Sequence, residues 1–334
     1  MGRLELRNVN KVYRVGTFGG DTLHAVKDVS FTAEPGQIVA LIGESGSGKS
    51  TLGKMILRLT SITSGQILYD GQDVATLKGR QLKPYQAAVQ GVFQDPFSSY
   101  NPIFKADRVF GMVKDSFYPH VPRSEWDDRL EAALLGVALD PDACLHKYPH
   151  QLSGGQLQRM LVARALLMEV SFLVADEIIS MLDASTRVDV LNLLGDLKSR
   201  GLGVLFVTHD LSLGNYISDT AIILRKGRIV ERGSTADVFD RPSHPYTQML
   251  LESVPALHDA RDPEHWREVA AARERGACIY HQLYPEADAE AAASDDNPIM
   301  AEIEPGHLVT CAHVDEGGSC GQAAAGSAGR RRAT

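Results

Sequence analysis

A glycine-rich stretch from Gly43 to Thr51 fits the phosphate-binding pattern G-x-x-x-x-G-K-S/T at every fixed position. Glycines let several backbone N–H groups converge on phosphate oxygens, and a helix that follows adds partial positive charge. The pattern predicts that the Lys49 ammonium contacts the β- and γ-phosphates of a nucleotide and that the Ser50 hydroxyl binds Mg²⁺. The predicted nucleotide-binding residues of this stretch are Gly43, Ser45, Gly46, Gly48, Lys49, Ser50 and Thr51.

Two carboxylates, Asp176 and Glu177, end the apolar stretch that begins at Leu173. At the end of a buried strand, Asp176 can bind Mg²⁺ directly or through water, and Glu177 can orient and deprotonate an attacking water. The alternative is that Glu177 is an ordinary surface carboxylate, which its position directly after Asp176 disfavours. His209 ends another apolar stretch, where a lone histidine would more often be structural.

The residues on both sides of the glycine-rich stretch supply the elements that its chemistry requires. The run from Gln37 to Ile42 predicts a buried strand. The run from Thr51 to Leu59 predicts a helix with Leu52, Met55, Ile56 and Leu59 on one face. The alternative, a Gly/Ser-rich turn that matches by chance, is disfavoured because strand, loop and helix follow in the required order.

Strand and helix signals alternate as far as about residue 225, which indicates an α/β fold with a mostly parallel sheet. A helix is expected from Ser124 to Leu139, with Ser124 as its N-cap and Trp126, Leu130, Leu134 and Leu135 as its apolar stripe. After about Pro255 acidic residues and alanines dominate and strand signals are few. We predict a nucleotide-binding domain over residues 1–255, an extension over 256–316 and a disordered tail over 317–334.

Composition bounds the possible roles of the chain. Its 334 residues are 44% hydrophobic and 23% charged, which is ordinary for a globular protein. The net charge of −8 argues against a dedicated nucleic-acid binder, so no nucleic-acid partner is expected. No apolar run reaches the roughly 20 residues that cross a bilayer, and the first residues lack a signal-peptide pattern. We therefore expect a cytosolic protein whose contact with a membrane goes through partners.

Three further stretches complete a recognisable set: Leu152–Arg159, which contains Leu-Ser-Gly-Gly-Gln, Ser180–Asp183, and Val207–Asp210. With the motifs above, in this order, residues 3 to about 240 resemble the ATP-binding subunits of ABC transporters. The resemblance implies a P-loop ABC ATPase fold of class α/β. Such a fold has a mostly parallel sheet core, an antiparallel β subdomain, a helical signature subdomain at about 95–168 and, here, a small C-terminal extension.

The resemblance also implies roles for individual residues. His209 resembles the histidine that contacts the γ-phosphate, and Gln94 resembles the glutamine that senses Mg²⁺ and attacking water and ties the site to the membrane subunits. Tyr13 resembles the aromatic residue that stacks on adenine; the alternative is that it only packs in the core. Ile178 stands where the family often has proline, which leaves the catalytic pair unchanged and leaves the effect on turnover open.

The signature residues imply a dimer. In the family, residues at the positions of Ser153, Gly155 and Gln156 hold the γ-phosphate of the nucleotide bound by the opposite subunit, and Asp183 lines that interface. The implied active unit is a head-to-tail dimer with ATP between its subunits.

Three stretches resemble the oligopeptide/dipeptide importer branch: Gln94–Pro102, Lys147–Gln151 and Arg241–Leu251, which contains His-Pro-Tyr. The branch takes in peptides, oligosaccharides and nickel, so the substrate stays open between peptides and oligosaccharides. The implied partners are two permease subunits, a second homologous ATPase subunit and an extracytoplasmic substrate-binding protein. The implied location is the cytoplasmic face of the membrane. The rival hypotheses are a soluble ABC ATPase of nucleic-acid repair or translation and an exporter subunit.

The branch often carries four cysteines in its C-terminal segment, and some members use them to hold an iron–sulfur cluster. Cys278 and Cys311 match the outer two, while Tyr284 and Ala291 stand at the inner positions. Two thiolates cannot supply four ligands, and Cys320 in the tail is a poor substitute. We therefore expect ATP and Mg²⁺ but no iron–sulfur cluster.

Overall fold

The computed structural model describes residues 2–15, 20–253 and 300–310. These residues form two sheets with helices around them, which confirms the predicted α/β class. The described part of the chain contains no helix with the length and hydropathy that a bilayer crossing requires.

The smaller sheet is antiparallel, as expected for the β subdomain. Its strands, in spatial order, are β2 (Thr22–Ala33), β1 (Leu4–Arg14), β4 (Ser64–Tyr69) and β5 (Gln72–Asp73). Apolar residues of this sheet, among them Leu4, Leu6 and Val29, pack in one cluster with the helix after the glycine-rich loop.

The larger sheet has a parallel centre. It contains β3 (Ile38–Ile42), β6 (Val89–Val92), β7 (Phe172–Asp176), β8 (Gly203–Thr208) and β9 (Thr220–Arg225), followed by the antiparallel strands β10 (Arg228–Ser234), β11 (Ala301–Glu304) and β12 (His307–Val309). The strand order is β11-β12-β10-β9-β3-β8-β7-β6. Every residue of β3, β7 and β8 is buried, which explains their unbroken apolar runs. The carboxyl ends of the parallel strands meet at one edge and position the predicted site.

Ten α-helices surround the sheets in the described residues. They are α1 (Lys49–Ile56), α2 (Leu82–Ala88), α3 (Arg108–Phe117), α4 (Arg123–Leu135), α5 (Pro141–Cys144), α6 (Gly154–Leu166), α7 (Ala184–Ser199), α8 (Leu211–Ile217), α9 (Thr235–Asp240) and α10 (Pro245–Glu252). Helices α3 to α6 lie between β6 and β7 in the chain, where the helical subdomain was expected. They share a core cluster with β7, α7 and β8 that includes Phe110, Trp126, Leu134, Met160 and Phe206.

Three local predictions were wrong. Leu59 is 64% exposed because α1 ends at Ile56, before Leu59 can join its apolar face. Helix α4 begins at Arg123 with Pro122 as its N-cap, so Ser124 lies inside the first turn. Leu135 is 58% exposed while Leu134 is buried, because adjacent helical residues point about 100° apart and only one of them can face the core.

The C-terminal hairpin of β11 and β12 was not predicted from the sequence. It pairs with β10, where Glu231 lies opposite Val309 and Arg232 opposite Leu308, and so extends the main sheet. The domain boundary at residue 255 stays a prediction. The expected tail at 317–334 and the residues of the iron–sulfur argument, Cys278, Tyr284, Ala291, Cys311 and Cys320, lie outside the described residues.

Candidate nucleotide-binding and hydrolysis site

The glycine-rich loop connects β3 to α1 and has backbone conformations that require glycine. Gly48 is the N-cap of α1 with φ +106°. A Cβ atom at Gly48 would lie 2.4 Å from the carbonyl oxygen of Ala25, so any other residue would strain the loop and displace β2. Gly46 also has a positive φ, +82°, and faces open space. The loop is therefore shaped so that its backbone N–H groups can approach a ligand closely.

Lys49 lies within this loop with its ammonium held by backbone carbonyls. Its Nζ donates to the carbonyl oxygens of Gly43, at 2.7 Å, and Glu44, at 2.8 Å. Burial lowers the pKa of Lys49, and the nearby carboxylates of Glu177 and Asp176 oppose that shift. The arrangement places a buried cation beside the loop, where phosphate oxygens could replace the carbonyl contacts.

Ser50 and Asp176 form the second part of the site. Ser50 Oγ donates to Asp176 Oδ1 at 3.2 Å, which joins the start of α1 to the end of β7. Burial raises the pKa of Asp176, the negative charge of Glu177 adds to the effect, and the Ser50 hydrogen bond opposes it. Adjacent hydroxyl and carboxylate oxygens are the ligands that Mg²⁺ prefers, so these two side chains fit the predicted ion.

Glu177 and His209 face each other at the ends of the neighbouring strands β7 and β8. His209 Nδ1 lies 3.0 Å from Glu177 Oε1, and Glu177 N–H donates to the Val207 carbonyl at 2.9 Å. Glu177 has a positive φ of 51°, an uncommon conformation that turns its side chain out of the strand direction. Ile178, at the position of the family's proline, is 1% exposed and packs in the main core cluster.

Gln94 and Tyr13 are placed by strand register. Val92 pairs with Ala175 in parallel, so Gln94, which is exposed, extends past β6 at the same sheet edge as Glu177. Tyr13 lies near the end of β1, opposite Leu23 of β2. The ammonium of Lys11 lies 4.8 Å from the centre of the Tyr13 ring. The same strand β2 contributes Ala25, whose carbonyl faces Gly48, so Tyr13 lies on the sheet that borders the loop.

The signature residues begin α6 with a reciprocal cap. Ser153 Oγ accepts from the Gln156 N–H at 3.1 Å, and Gln156 Oε1 accepts from the Ser153 N–H at 2.9 Å. Gly155 faces Thr186 of α7 so closely that a Cβ atom would lie 2.5 Å from Thr186 Cγ2.

Asp183 is the N-cap of α7 and belongs to the same group of residues. Its carboxylate accepts from the Ser185 hydroxyl at 2.6 Å and from the N–H and hydroxyl of Thr186 at 3.0 and 2.8 Å. These hydrogen bonds lower the pKa of Asp183, that of the Ser185 hydroxyl most. Thr186 thereby links Asp183 to Gly155, a role that sequence reasoning missed.

The predicted site residues thus fall into two groups. Lys49, Ser50, Asp176, Glu177 and His209 lie together at the sheet edge. In the second group, Gly155 and Asp183 lie beside Thr186, and Ser153 and Gln156 cap the start of α6 next to Gly155. Within residues 2–15, 20–253 and 300–310, no hydrogen bond joins a side chain of the first group directly to one of the second.

Sequence reasoning also missed a contact of the glycine-rich loop with the His-Pro-Tyr stretch. The Glu44 N–H donates to Tyr246 Oη at 3.2 Å, across 202 residues of chain. Residues this far apart in the chain meet only through the tertiary fold. No local sequence pattern predicts such a contact.

Comparison with known proteins places this geometry in a family. Residues 26–180 match the family described as ABC transporter, and residues 230–290 match the oligopeptide/dipeptide transporter C-terminal region. The chain is 38% identical to the dipeptide transport ATP-binding protein DppF of Lactococcus lactis, covering 92% of this chain and 93% of that one. It is 37% identical to the oligopeptide transport ATP-binding protein AppF of Bacillus subtilis, covering 92% and 96%.

A solved structure shows the same fold. The ATP-binding cassette MJ0796, in a dimeric post-hydrolysis state bound to ADP and phosphate, aligns with a TM-score of 0.62 at 28% identity, over 70% of this chain and 98% of that chain. The relatives named here give no support to the rival hypotheses of a repair or translation ATPase or an exporter. The chain therefore belongs to the ABC transporter family, as an ATP-binding and ATP-hydrolysing subunit of its oligopeptide/dipeptide branch.

Proposed function

We propose that this chain binds and hydrolyses ATP to power the import of peptides, as a peripheral subunit at the cytoplasmic face of a membrane. The observation that carries this proposal is the match of residues 230–290 to the C-terminal region of peptide transporters, together with relatives named for dipeptide and oligopeptide transport. Those names favour peptides over the oligosaccharides that the sequence left open.

Nucleotide binding is assigned to the loop between β3 and α1. Its backbone N–H groups and the Lys49 ammonium hold the phosphates, and Tyr13 stacks on the adenine ring at the border of the small sheet. Ser50 and Asp176, with Gln94 at the same edge, would hold Mg²⁺, which would neutralise phosphate charge when bound. The hydrogen bond of Ser50 to Asp176 supports this assignment, because it already brings two of the three oxygen ligands together.

Hydrolysis is assigned to Glu177 and His209. The Glu177 carboxylate accepts a proton from the attacking water while the water oxygen forms a bond to the γ-phosphorus. The bond between the γ-phosphorus and the bridging oxygen breaks, which gives ADP and phosphate. His209, 3.0 Å from Glu177 Oε1, holds that carboxylate in place and lies where it can contact the γ-phosphate. Gln94 extends from the adjacent strand to orient the water.

A complete site requires a second subunit. The Leu-Ser-Gly-Gly-Gln signature at the start of α6 supports a head-to-tail dimer, in which Ser153, Gly155 and Gln156 of one subunit face the nucleotide of the other. The dimeric cassette with ADP and phosphate has the same fold. We propose that the second subunit is a homologous chain and that Asp183, at the start of α7 beside Thr186, lies in the interface.

A groove of about 740 Å³ beside the edge strand β6 is our candidate site for a permease. Leu59 and Met112, which are 64% and 58% exposed, are among its apolar lining residues. The charged residues among its described lining are Lys83 and Arg164, both cationic. Arg164 Nη2 donates to the Gly91 carbonyl at 2.9 Å, and its Nε has no partner among the described residues. An amphipathic permease helix with an acidic residue complements this groove, and it would lie next to Gln94.

The proposal is tested by reconstituting this chain with two permeases, a second ATPase and a substrate-binding protein in proteoliposomes. We expect peptide-loaded binding protein to stimulate ATP hydrolysis and peptide uptake, and oligosaccharide-loaded binding protein to do neither. Stimulation by oligosaccharide alone would overturn the substrate assignment. ATP hydrolysis that does not respond to the permeases would overturn the transport assignment.

A further inference from the structure

A residue of the His-Pro-Tyr stretch, far from the phosphate-binding loop in the chain, forms a hydrogen bond with the loop backbone. Tyr246, in the first turn of α10, is 3% exposed, and its hydroxyl oxygen accepts the hydrogen bond of the Glu44 N–H at 3.2 Å. The carbonyl oxygen of Glu44 accepts from Lys49 Nζ at 2.8 Å. One loop residue is therefore fixed on its N–H side by Tyr246 and on its carbonyl side by Lys49.

Tyr246 is itself held firmly at the start of α10. His244 is the N-cap, and its Nδ1 accepts from the Tyr246 N–H at 3.1 Å. Burial, with a further contribution from Arg225, lowers the pKa of His244 to about 3, which keeps the imidazole neutral and Nδ1 able to accept. The guanidinium of Arg225 lies 4.8 Å from the centre of the Tyr246 ring.

A buried glutamate connects this helix start to the C-terminal hairpin. Glu231 of β10 has no exposed surface, and its carboxylate accepts from the N–H groups of Ser243 at 2.8 Å and His244 at 3.0 Å. Its third partner is Nε2 of His307, at 2.8 Å. His307 begins β12 and is 1% exposed. Because an incompletely paired buried carboxylate is costly, loss of one donor favours a rearrangement of Glu231 and its remaining donors.

We propose that the C-terminal hairpin sets the nucleotide affinity of this chain's own phosphate-binding loop, through the buried path His307–Glu231–His244–Tyr246–Glu44. In this path Tyr246 is a positioning residue: it contacts the loop backbone and lets Lys49 and the loop N–H groups keep a binding-competent arrangement. The inference rests on the assignment of Gly43–Thr51 as the nucleotide site, and it goes beyond that assignment by giving the C-terminal extension a role in nucleotide binding.

The physical reason is the cost of an unpaired loop N–H. Without the Tyr246 hydroxyl, the Glu44 N–H loses its acceptor, and the loop spends part of its time in other conformations. Apparent affinity falls in proportion to the fraction of molecules whose loop is competent to bind. A single neutral hydrogen bond of ordinary strength corresponds to roughly a three- to tenfold change in dissociation constant.

The first test is Tyr246→Phe in the full chain, which keeps the ring and removes the hydroxyl. The matched control is Tyr216→Phe, since Tyr216 is 63% exposed and its hydroxyl contacts only Asn192 among the described residues. We expect the dissociation constant of ATP, measured by calorimetry, to rise about three- to tenfold in Tyr246→Phe and to stay within twofold in the control. The KM for ATP should rise in parallel, with kcat changed less than twofold.

Two results of this test distinguish a failure of this inference from a failure of the nucleotide-site assignment on which it rests. If the wild-type chain fails to bind ATP, the nucleotide-site assignment fails. If the wild-type chain binds ATP and Tyr246→Phe binds it equally well, the assignment stands and the inference is overturned. A lowered melting temperature with unchanged affinity also overturns it, because Tyr246 would then serve stability alone.

The second test is a double-mutant cycle that asks whether His307 acts through Tyr246. We expect His307→Ala to weaken ATP binding severalfold in the wild-type background and to have less than a twofold effect in the Tyr246→Phe background. His307→Gln, whose amide can still donate to Glu231, should restore binding and also serves if His307→Ala folds poorly. Weakening by the same factor in both backgrounds would overturn the proposed path.

Discussion

His209 Nδ1 and Glu177 Oε1 lie 3.0 Å apart at the ends of two neighbouring parallel strands. The hydrogen bond from the Glu177 N–H to the Val207 carbonyl joins the backbones of the two strands beside this pair, and Glu177 has a positive φ of 51°. Two neighbouring strands of the sheet therefore position the pair to which we assign hydrolysis, and such preorganisation is what the proposed role of Glu177 as general base requires.

The Glu177→Gln variant should bind ATP but hydrolyse it at least about 100-fold more slowly, because the amide cannot accept the proton of the attacking water. Steady-state phosphate release and ATP calorimetry measure the two properties. The matched control is Glu169→Gln, since Glu169 is an exposed glutamate that also has a positive φ, 54°. Wild-type turnover in Glu177→Gln would contradict the assigned role.

The Gly155→Ala variant tests the contact between the signature helix and α7. The added methyl group would lie 2.5 Å from Thr186 Cγ2, so α6 or α7 must shift, at a cost of about 1–3 kcal/mol. We expect lower thermal stability and impaired nucleotide occlusion in the dimer. Gly195→Ala is the control, since Gly195 lies in α7 and a Cβ there meets nothing within 4 Å. Thr186→Ser removes Cγ2 but keeps the hydroxyl, so the double variant should recover; no recovery would mean that the steric explanation is wrong.

Sequence patterns predicted most of this site because its residues follow strand ends at short, fixed spacings. Asp176 is the last residue of β7, Glu177 and His209 come just after β7 and β8, and Lys49 begins α1 after the loop that follows β3. The parallel sheet brings these positions to one edge. Tyr246 and His307 were out of reach because their contacts with Glu44 and Glu231 depend on pairings across many residues. The prediction for Leu59 was wrong because the apolar periodicity of the sequence continues beyond Ile56, where α1 ends.

Acid stability should depend measurably on His244. Its pKa is about 3 in the folded protein and about 6.5 when unfolded, so the unfolded state binds more protons between these values. The free energy of unfolding therefore falls as the pH falls below about 6.5, by up to about 1.4 kcal/mol per pH unit from this group. The charged and titratable groups around it are Arg225, Glu231, Tyr246 and His307.

The variant His244→Asn isolates this contribution, because the asparagine oxygen can still accept from the Tyr246 N–H as an N-cap. The urea midpoint should fall between pH 7 and pH 5 in both proteins, and it should fall less in the variant. The difference should be equivalent to about 2 kcal/mol of unfolding free energy or less. Equal pH dependence in both proteins would show that His244 is not buried as a neutral imidazole.

Permease docking should be sensitive to charge in the groove beside β6. Met112→Asp places a carboxylate on an apolar wall of that groove and should weaken capture of the chain by detergent-solubilised permeases about tenfold or more. Leu135→Asp is the control, since Leu135 has the same 58% exposure as Met112 but is not among the groove residues. Equal loss of capture in both variants would place the docking site elsewhere.

The composite dimer makes a directional prediction for Ser153→Arg. Ser153 is the N-cap of α6, and in the proposed dimer the arginine would fill the space in which the Ser153 hydroxyl and the neighbouring N–H groups face the partner's nucleotide. Paired with a wild-type partner, the variant should lose nucleotide occlusion at the partner's phosphate loop and keep it at its own Lys49. Photo-crosslinked nucleotide, located by mass spectrometry, distinguishes the two loops. Ser124→Arg, at an exposed first-turn serine of α4, should keep both. Loss of occlusion at Lys49 with retention at the partner's loop would mean that the signature acts within one chain, and the head-to-tail dimer would be excluded.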